Sequence, residues 1–322
     1  MKFTKFTALS AALASASLGL SACGSSAGLS SGPLAPETPG LTTGVNSGGT
    51  GSATDPLAVF TAQASFIPTA KQSLEIISIL GSTVTTESAP SMSLVRTTTG
   101  FNMTLSQGTV QYDTRSGSTN IASGTNTYTN CFTACTGTSP QRVTVTFTSG
   151  AASTLTYSTY GVWTRTTTTG LLGMGVFATG TPTATTNMPT TGAGTFTGNA
   201  VGYVATGNAA TNVSFAGTAT INADFASRTL SGSITNITST SIATPTTTGT
   251  LGSIVFGSTT YSGNTFAGSA LASGSATDAI DLSGATGTYG GVFYGFNAVE
   301  AAGSFAVTKS GANVIGVFGV KR

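Results

Sequence analysis

From Val213 to Asn222 the chain alternates. Val213, Phe215, Gly217, Ala219 and Ile221 fall on one face of an extended backbone, and Ser214, Ala216, Thr218, Thr220 and Asn222 fall on the other. A period of two marks a strand with one face on a core. Similar text recurs at 156–166, 173–179, 194–204, 229–237, 251–262, 287–295, 303–309 and 313–321. An apolar residue followed two places later by glycine repeats loosely through it, as in Phe196 and Gly198, Phe215 and Gly217, Leu230 and Gly232, Tyr261 and Gly263, and Phe266 and Gly268. Upstream, 91–97, 101–106, 108–114, 126–130 and 142–148 also read as short strands, while 73–80 fits either a strand or a short helix. Many short strands at even turn spacing predict an all-β chain. We expect an eight-stranded antiparallel β-barrel over 151–322, filled by side chains, preceded by a smaller β-rich unit over 56–150. Glycine inside a strand weakens it, but permits the coiling and sharp bends of a small barrel.

The N-terminus departs from this pattern. Lys2 and Lys5 precede an uncharged run of small and apolar residues, Thr7 to Leu20, which reads as a secretory signal over 1–22. The run is too short and too weakly apolar to span a bilayer. It ends in Leu20, Ser21, Ala22 and Cys23, which resembles the bacterial lipobox. Small residues at 21 and 22 suit a peptidase groove, and the Cys23 thiol is the expected lipidation site. Several acyl chains make such an anchor stable, where one holds only marginally. Gly24 rather than Asp follows Cys23, so the expected address is the outer membrane. Gly24 to Asp55 is rich in Gly, Ser, Thr and Pro without periodicity, and reads as a disordered tether spanning roughly 30 Å.

Charge narrows the function. Without Lys2 and Lys5 the chain carries nine basic and nine acidic residues, and only 6% of the whole chain is charged. Nucleic-acid binding needs clustered Lys and Arg, and is not expected. The chain has no histidine, which removes the commonest metal ligand and the usual general base. No cofactor is expected, and haem would need Tyr or Met ligation. A hydrophobic share of 39%, with Val, Ile, Phe and Tyr in short alternating runs, favours folded β-structure over coil despite 43 glycines. The polar faces carry Thr, Ser and Asn, not the apolar band with aromatic girdles of a membrane barrel.

Few residues offer chemistry. Cys131 and Cys135 are close in sequence, and in an exported chain such a pair is expected to form a small disulfide. Two sulfurs without His are too few for a metal site. Asp278 and Asp281 would suit glycosidase-type chemistry or Ca²⁺, but read more simply as loop acids. Asp224 is expected to end a strand in the turn toward Arg228. Tyr157, Tyr160, Trp163, Tyr203, Tyr261, Tyr289 and Tyr294 are expected mainly to pack the barrel, some of them surfacing as binding anchors.

The C-terminal stretch carries the most specific pattern. Gly291, Phe293, Tyr294, Gly295, Ala298, Glu300, Gly303 and Phe305 are followed by Gly316, Phe318, Gly319, Lys321 and Arg322. This resembles the terminal motif of the transferrin-binding protein B-like surface lipoproteins. Weaker likeness extends over 156–322, through Tyr160, Gly161 and Trp163, Gly202 and Tyr203, and 217–225. Phe296 stands where many family members have Pro, and the chain has room for one lobe where the transferrin receptors have two.

The resemblance implies a handle-like domain, for which 56–150 has the place, a barrel and a lipid anchor in the bilayer. It implies surface recognition of a protein or small nutrient ligand without catalysis, and handover of any iron to a separate outer-membrane transporter. Glu300 would be a turn acid, hydrogen-bonded or paired with an Arg. A structural or adhesive envelope role without a discrete ligand is the alternative.

Overall fold

Strands make up nearly all the regular structure in the computed structural model. It describes the backbone of residues 72–77, 85–88, 93–96, 100–105, 108–113, 127–131 and 141–147, and of 155–322 apart from 169, 207–210, 245–247 and 276. The signal, Cys23, the tether and Cys135 lie outside the described residues.

The first strands are β1 (Gln72–Ile77), β2 (Thr85–Ser88), β3 (Ser93–Arg96), β4 (Gly100–Leu105), β5 (Gly108–Asp113), β6 (Thr127–Cys131), β7 (Arg142–Phe147), β8 (Ser158–Thr167) and β9 (Gly170–Gly180). The ambiguous run at 73–80 is therefore a strand where it is described. Strands β3, β4 and β5 form a small sheet, and the other six form a sheet in the order β2-β1-β9-β8-β7-β6.

The remaining strands are β10 (Ala193–Ala205), β11 (Val213–Asp224), β12 (Thr229–Ser241), β13 (Thr248–Thr250), β14 (Ser253–Ser262), β15 (Thr265–Ser273), β16 (Thr286–Tyr294), β17 (Glu300–Lys309) and β18 (Ala312–Lys321). All pairings among them are antiparallel. Their ladder runs β11-β10-β18-β17-β16-β15-β14-β12, and β11 pairs with β12 to close it. Strand β13 continues the β14 row along the upper half of β12. The result is the closed eight-stranded barrel expected from the alternation.

The alternating residues explain the closure. Val213, Phe215, Ala219 and Ile221 turn inward with Phe196, Phe256, Phe266, Phe293, Phe305 and Phe318. These rings pack directly: Phe256 stacks on Tyr289 at 4.4 Å and meets Phe318 at 5.4 Å, while Phe293 meets Phe266 at 5.2 Å and Tyr261 at 5.3 Å. Aromatic contacts at these separations add to the free energy of burial. Small partners make room for them. A Cβ on Gly316 would overlap the Phe305 ring, and one on Gly291 would overlap Phe266. Each of these glycines is the direct cross-strand partner of the ring it accommodates.

The segments at 156–166 and 173–179, read above as barrel strands, correspond to β8 and β9. They belong instead to the six-stranded sheet, and the barrel begins at Ala193. Tyr160, Val162, Met174, Val176 and Ala178 on β8 and β9 pack against Val201, Tyr203, Val292, Tyr294, Ile315 and Val317 on the outside of the barrel. The other face of this sheet buries Val143, Val145, Phe147, Trp163 and Phe177. Two-sided burial leaves apolar residues at both parities, so alternation there does not reveal which sheet a strand joins. Tyr160 and Trp163 thus pack the six-stranded sheet, whereas Tyr261 and Tyr289 fill the barrel.

Candidate functional site

The C-terminal motif gathers at one point, where the barrel meets the segment entering β8. Glu300 is the first residue of β17, not part of the preceding turn, because it pairs with Tyr294 on one side and Lys321 on the other. Its side chain is 2% exposed. The carboxylate accepts backbone N–H groups from Thr156 at 2.5 Å, Tyr157 at 2.9 Å and Ser158 at 2.9 Å, and the Ser158 hydroxyl at 2.8 Å. Burial pushes its carboxyl up from the ordinary value, and hydrogen bonds from Thr156, Ser158 and Tyr157 oppose that shift.

Two glycines complete the socket. The Tyr157 ring lies over Gly295 and the Tyr160 ring over Gly319, so closely that a Cβ on either glycine would overlap the ring. The turn between β16 and β17 is tight, with Asn297 at φ 56° and Ala298 at φ 52°. Arg322 spans it, donating its backbone N–H to Val299 O at 3.0 Å and a guanidinium N–H to Asn297 O at 3.3 Å. Its guanidinium also sits 5.6 Å from the Phe225 ring centroid. The motif therefore builds a joint between barrel and sheet. Gly303 is different: a Cβ there would strike the Gly290–Gly291 backbone of the neighbouring strand.

The residues singled out for chemistry do not converge. Asp278 closes its own loop, accepting Ser275 N–H at 2.7 Å and the Thr250 hydroxyl at 2.8 Å. Asp281 accepts Ser283 N–H at 2.8 Å and pairs with Lys309 at 2.9 Å. Hydrogen bonds from Ser283 and Lys309 hold its carboxyl far below the ordinary value. Asp224 ends β11 as expected, and its Oδ1 accepts Ala226 and Ser227 N–H groups at 2.9 and 3.0 Å. Among the described residues, no three His, Cys, Asp or Glu side chains come together as a metal site. Cys131 ends β6 and is buried.

The barrel interior is occupied by side chains. Its two ends differ. At one end, the segment from Thr181 to Gly192 seals the mouth: Thr183 N–H bonds Phe293 O at 2.8 Å, Gly295 N–H bonds Thr181 O at 3.0 Å, and Asn264 Nδ2 donates to Thr183 O at 2.6 Å. The other end carries the longer connections, described at 206 and 211–212, at 242–244 and 248–252, and at 274–275 and 277–285, and the short turn before β18. Leu251 and Leu282 plug it from above the core.

Buried Asn212 ties two of these connections, accepting Thr206 N–H on its side chain at 2.9 Å and Ile242 N–H on its carbonyl at 3.0 Å. Ala279 N–H bonds Thr250 O at 2.9 Å, joining the third long connection to the second. These bonds tie the described parts of the three connections to one another. Neither Asn212 nor the cross-ties carry a sequence signal beyond loop composition. Only their placement on one end reveals them.

The fold and its filled interior define a closed β-barrel docked on a flanking sheet. Residues 188–322 match the family model for the C-lobe and N-lobe beta barrels of Tf-binding protein B. The resemblance read from the C-terminal motif is thereby shown for the barrel.

Similar solved structures include intact Ap-TbpB with its N and C lobes, at 18% identity and TM-score 0.48, covering 78% of this chain and 45% of that one. A mutant of the vaccine antigen transferrin binding protein B from Haemophilus parasuis Hp5 gives 19% identity and TM-score 0.48, covering 77% and 44%. Isotype 1 transferrin binding protein B from serogroup B Neisseria meningitidis gives 20% identity and TM-score 0.41, covering 74% and 44%. The chain spans under half the length of these proteins. A search of curated proteins finds no match.

Proposed function

We propose that this chain is an outer-membrane lipoprotein, anchored through Cys23 and exposed at the cell surface, that binds a protein or nutrient carrier without catalysis. The observation that carries the reading is the match of residues 188–322 to the barrels of transferrin-binding protein B. The filled interior supports it, since a small ligand has no room inside and contact falls to the outer surface. The described part of the cross-tied end, around Thr206, Asn212, Ile242, Thr250 and 277–285, is the face we assign to that contact. A link between Cys131 and Cys135 would pin the loop after β6, and handover to an outer-membrane transporter would follow if the carrier holds iron.

The test has two parts. Intact cells treated with a non-permeant protease should lose the protein while periplasmic controls survive. The full chain should then bind a carrier saturably, with transferrin and lactoferrin as the first probes, and Asp278→Lys should weaken binding by disturbing the Thr250 tie. Full protection in intact cells overturns the surface reading. Saturable binding left unchanged by Asp278→Lys overturns the assignment of the contact face.

A structural or adhesive envelope role is the second reading. It is favoured by the sparsely charged, hydroxyl-rich outer wall. Absence of any saturable partner would bring it forward.

A further inference from the structure

The barrel wall away from the flanking sheet holds an open groove of about 400 Å³, lined in part by Thr195, Asn222, Asp224, Ser231 and Ser258. It lies at the sealed end of the barrel, remote from the cross-tied connections. Thr195 pairs with Asn222, Asn222 pairs with Ser231, and Ser231 stands opposite the Gly257–Ser258 bulge of β14. These four side chains form one row across four strands. At about 4.8 Å per strand the row is about 14 Å long. The bulge is held from inside, where the Tyr289 hydroxyl donates to Gly257 O at 2.7 Å. Bulges re-aim side chains in this way.

The row offers both donors and acceptors. The Thr195 hydroxyl donates to Asn222 Oδ1 at 2.9 Å, which orients the carboxamide and leaves its Nδ2 donor facing away from that bond. Ser231 and Ser258 add hydroxyls that donate or accept equally. Three residues along β14 from Ser258, Val255 pairs with Leu271, and the two side chains are 47% and 52% exposed. They supply an apolar edge beside the polar row. Strands β10, β11, β12, β14 and β15 contain a single charged residue, Asp224.

We infer that this groove binds a neutral, polyhydroxylated ligand, an unbranched oligosaccharide lying along the Thr195–Asn222–Ser231–Ser258 row. Hydroxyls of the ligand match the mixed donors and acceptors, and its C–H faces match Val255 and Leu271. The volume falls within the range of small-ligand sites, which is roughly 300–1,000 Å³. These strands carry no cation, Arg228 in the turn between β11 and β12 and the Arg322 side chain beside Gly194 stand at the end of the groove, and a basic partner finds one carboxylate on the strands. The inference is independent of the carrier-binding reading, whose contact face is at the other end of the barrel.

The test titrates the full chain with cellohexaose and with maltohexaose, using a hexameric galacturonate as the charged comparison. Saturable binding of a neutral hexasaccharide, with the charged one bound weakly or not at all, is expected. Asn222→Ala should lower affinity about fivefold for each hydrogen bond lost, since one such bond is worth about 1 kcal/mol. Ser231→Tyr should abolish binding by filling the groove, and Thr218→Ala, higher on the same wall, should leave it unchanged. Unaltered melting of the variants separates lost contact from lost fold.

A high-mannose glycoprotein, tested before and after enzymatic removal of its glycans, distinguishes free saccharide from a glycoprotein-borne chain as the source. The inference is overturned if neither neutral hexasaccharide binds saturably, if the galacturonate binds better, or if Asn222→Ala and Ser231→Tyr bind as the parent does. Self-association through this wall in place of sugar binding, seen by sedimentation, would also overturn it.

Discussion

Glu300 and Ser158, 142 positions apart in sequence, meet through two hydrogen bonds: the carboxylate oxygen Oε2 accepts the Ser158 N–H at 2.9 Å and its hydroxyl at 2.8 Å. With Thr156 and Tyr157 the same carboxylate satisfies three successive backbone donors. Ser158→Ala removes one of four bonds and should cost about 1 kcal/mol. Glu300→Ala strips the partner from all four donors and should cost about 3 kcal/mol, since unsatisfied donors are more expensive than lost bonds. Urea unfolding of the two variants checks this order. Equal costs would show that the carboxylate does not organise the joint.

Glu300 also sets a pH dependence. Its folded-state pKa is raised above 4.5. Below that value both folded and unfolded chains hold the proton, and the stability linked to this group is fully present. As pH rises through the raised value, the unfolded chain has already released the proton, and that stability is lost. Glu300→Gln does not titrate. The stability difference between parent and Glu300→Gln should therefore be most favourable to the parent near pH 4 and decline toward neutrality. Thermal melts of both proteins at matched pH check the sign, and a difference that grows toward neutrality would refute it.

The barrel was legible because its interior and exterior differ in composition. Val213, Phe215, Ala219 and Ile221 alternate with Ser214, Thr218, Thr220 and Asn222, and the eight-stranded antiparallel closure followed. The C-terminal motif was legible as a likeness, but not as a joint. Glu300 was read as a turn acid because its partners, Thr156 to Ser158, lie 142–144 residues away and carry no mark of pairing with it. The placement of β8 and β9 was hidden for another reason. Periodicity names the face that is buried, not the element that buries it, and Tyr203, Ile315 and Val317 cover a second layer on the outside of the barrel. The groove was hidden too, because Thr195, Asn222, Ser231 and Ser258 become one row only through strand register.

Gly303 and Gly311 should respond differently to the same substitution. A Cβ at Gly303 would strike the Gly290–Gly291 backbone, which cannot swing aside as a side chain can. Gly303→Ala should cost about 3 kcal/mol through overpacking. Gly311 has φ 82° with open space around its missing Cβ. Gly311→Ala should cost only about 1 kcal/mol, the penalty for left-handed backbone, and Gly311→Asn should cost less, since Asn tolerates that region better. Denaturant midpoints of the three variants rank them, and a Gly303→Ala protein as stable as Gly311→Ala would contradict the close strand approach.

The packing between barrel and sheet leads to the last prediction. Val201, Tyr203, Val292, Tyr294, Ile315 and Val317 form an apolar patch on the outside of the barrel, covered by Tyr160, Val162, Met174 and Val176. Tyr203 is 6% exposed and Tyr294 is fully buried, and that burial pushes both hydroxyls well above the ordinary phenol value. A fragment spanning 181–322 keeps all eight barrel strands but loses that cover. It should expose a contiguous apolar surface of the kind that drives association. The fragment should bind a hydrophobic dye and sediment as oligomers, where the longer chain does neither. Substituting Tyr203→Ser, Ile315→Thr and Val317→Thr together should return it to a dye-negative monomer, because all three side chains face outward and the barrel core is untouched. A parent fragment that is already monomeric and dye-negative would mean that the patch does not depend on the sheet for its cover.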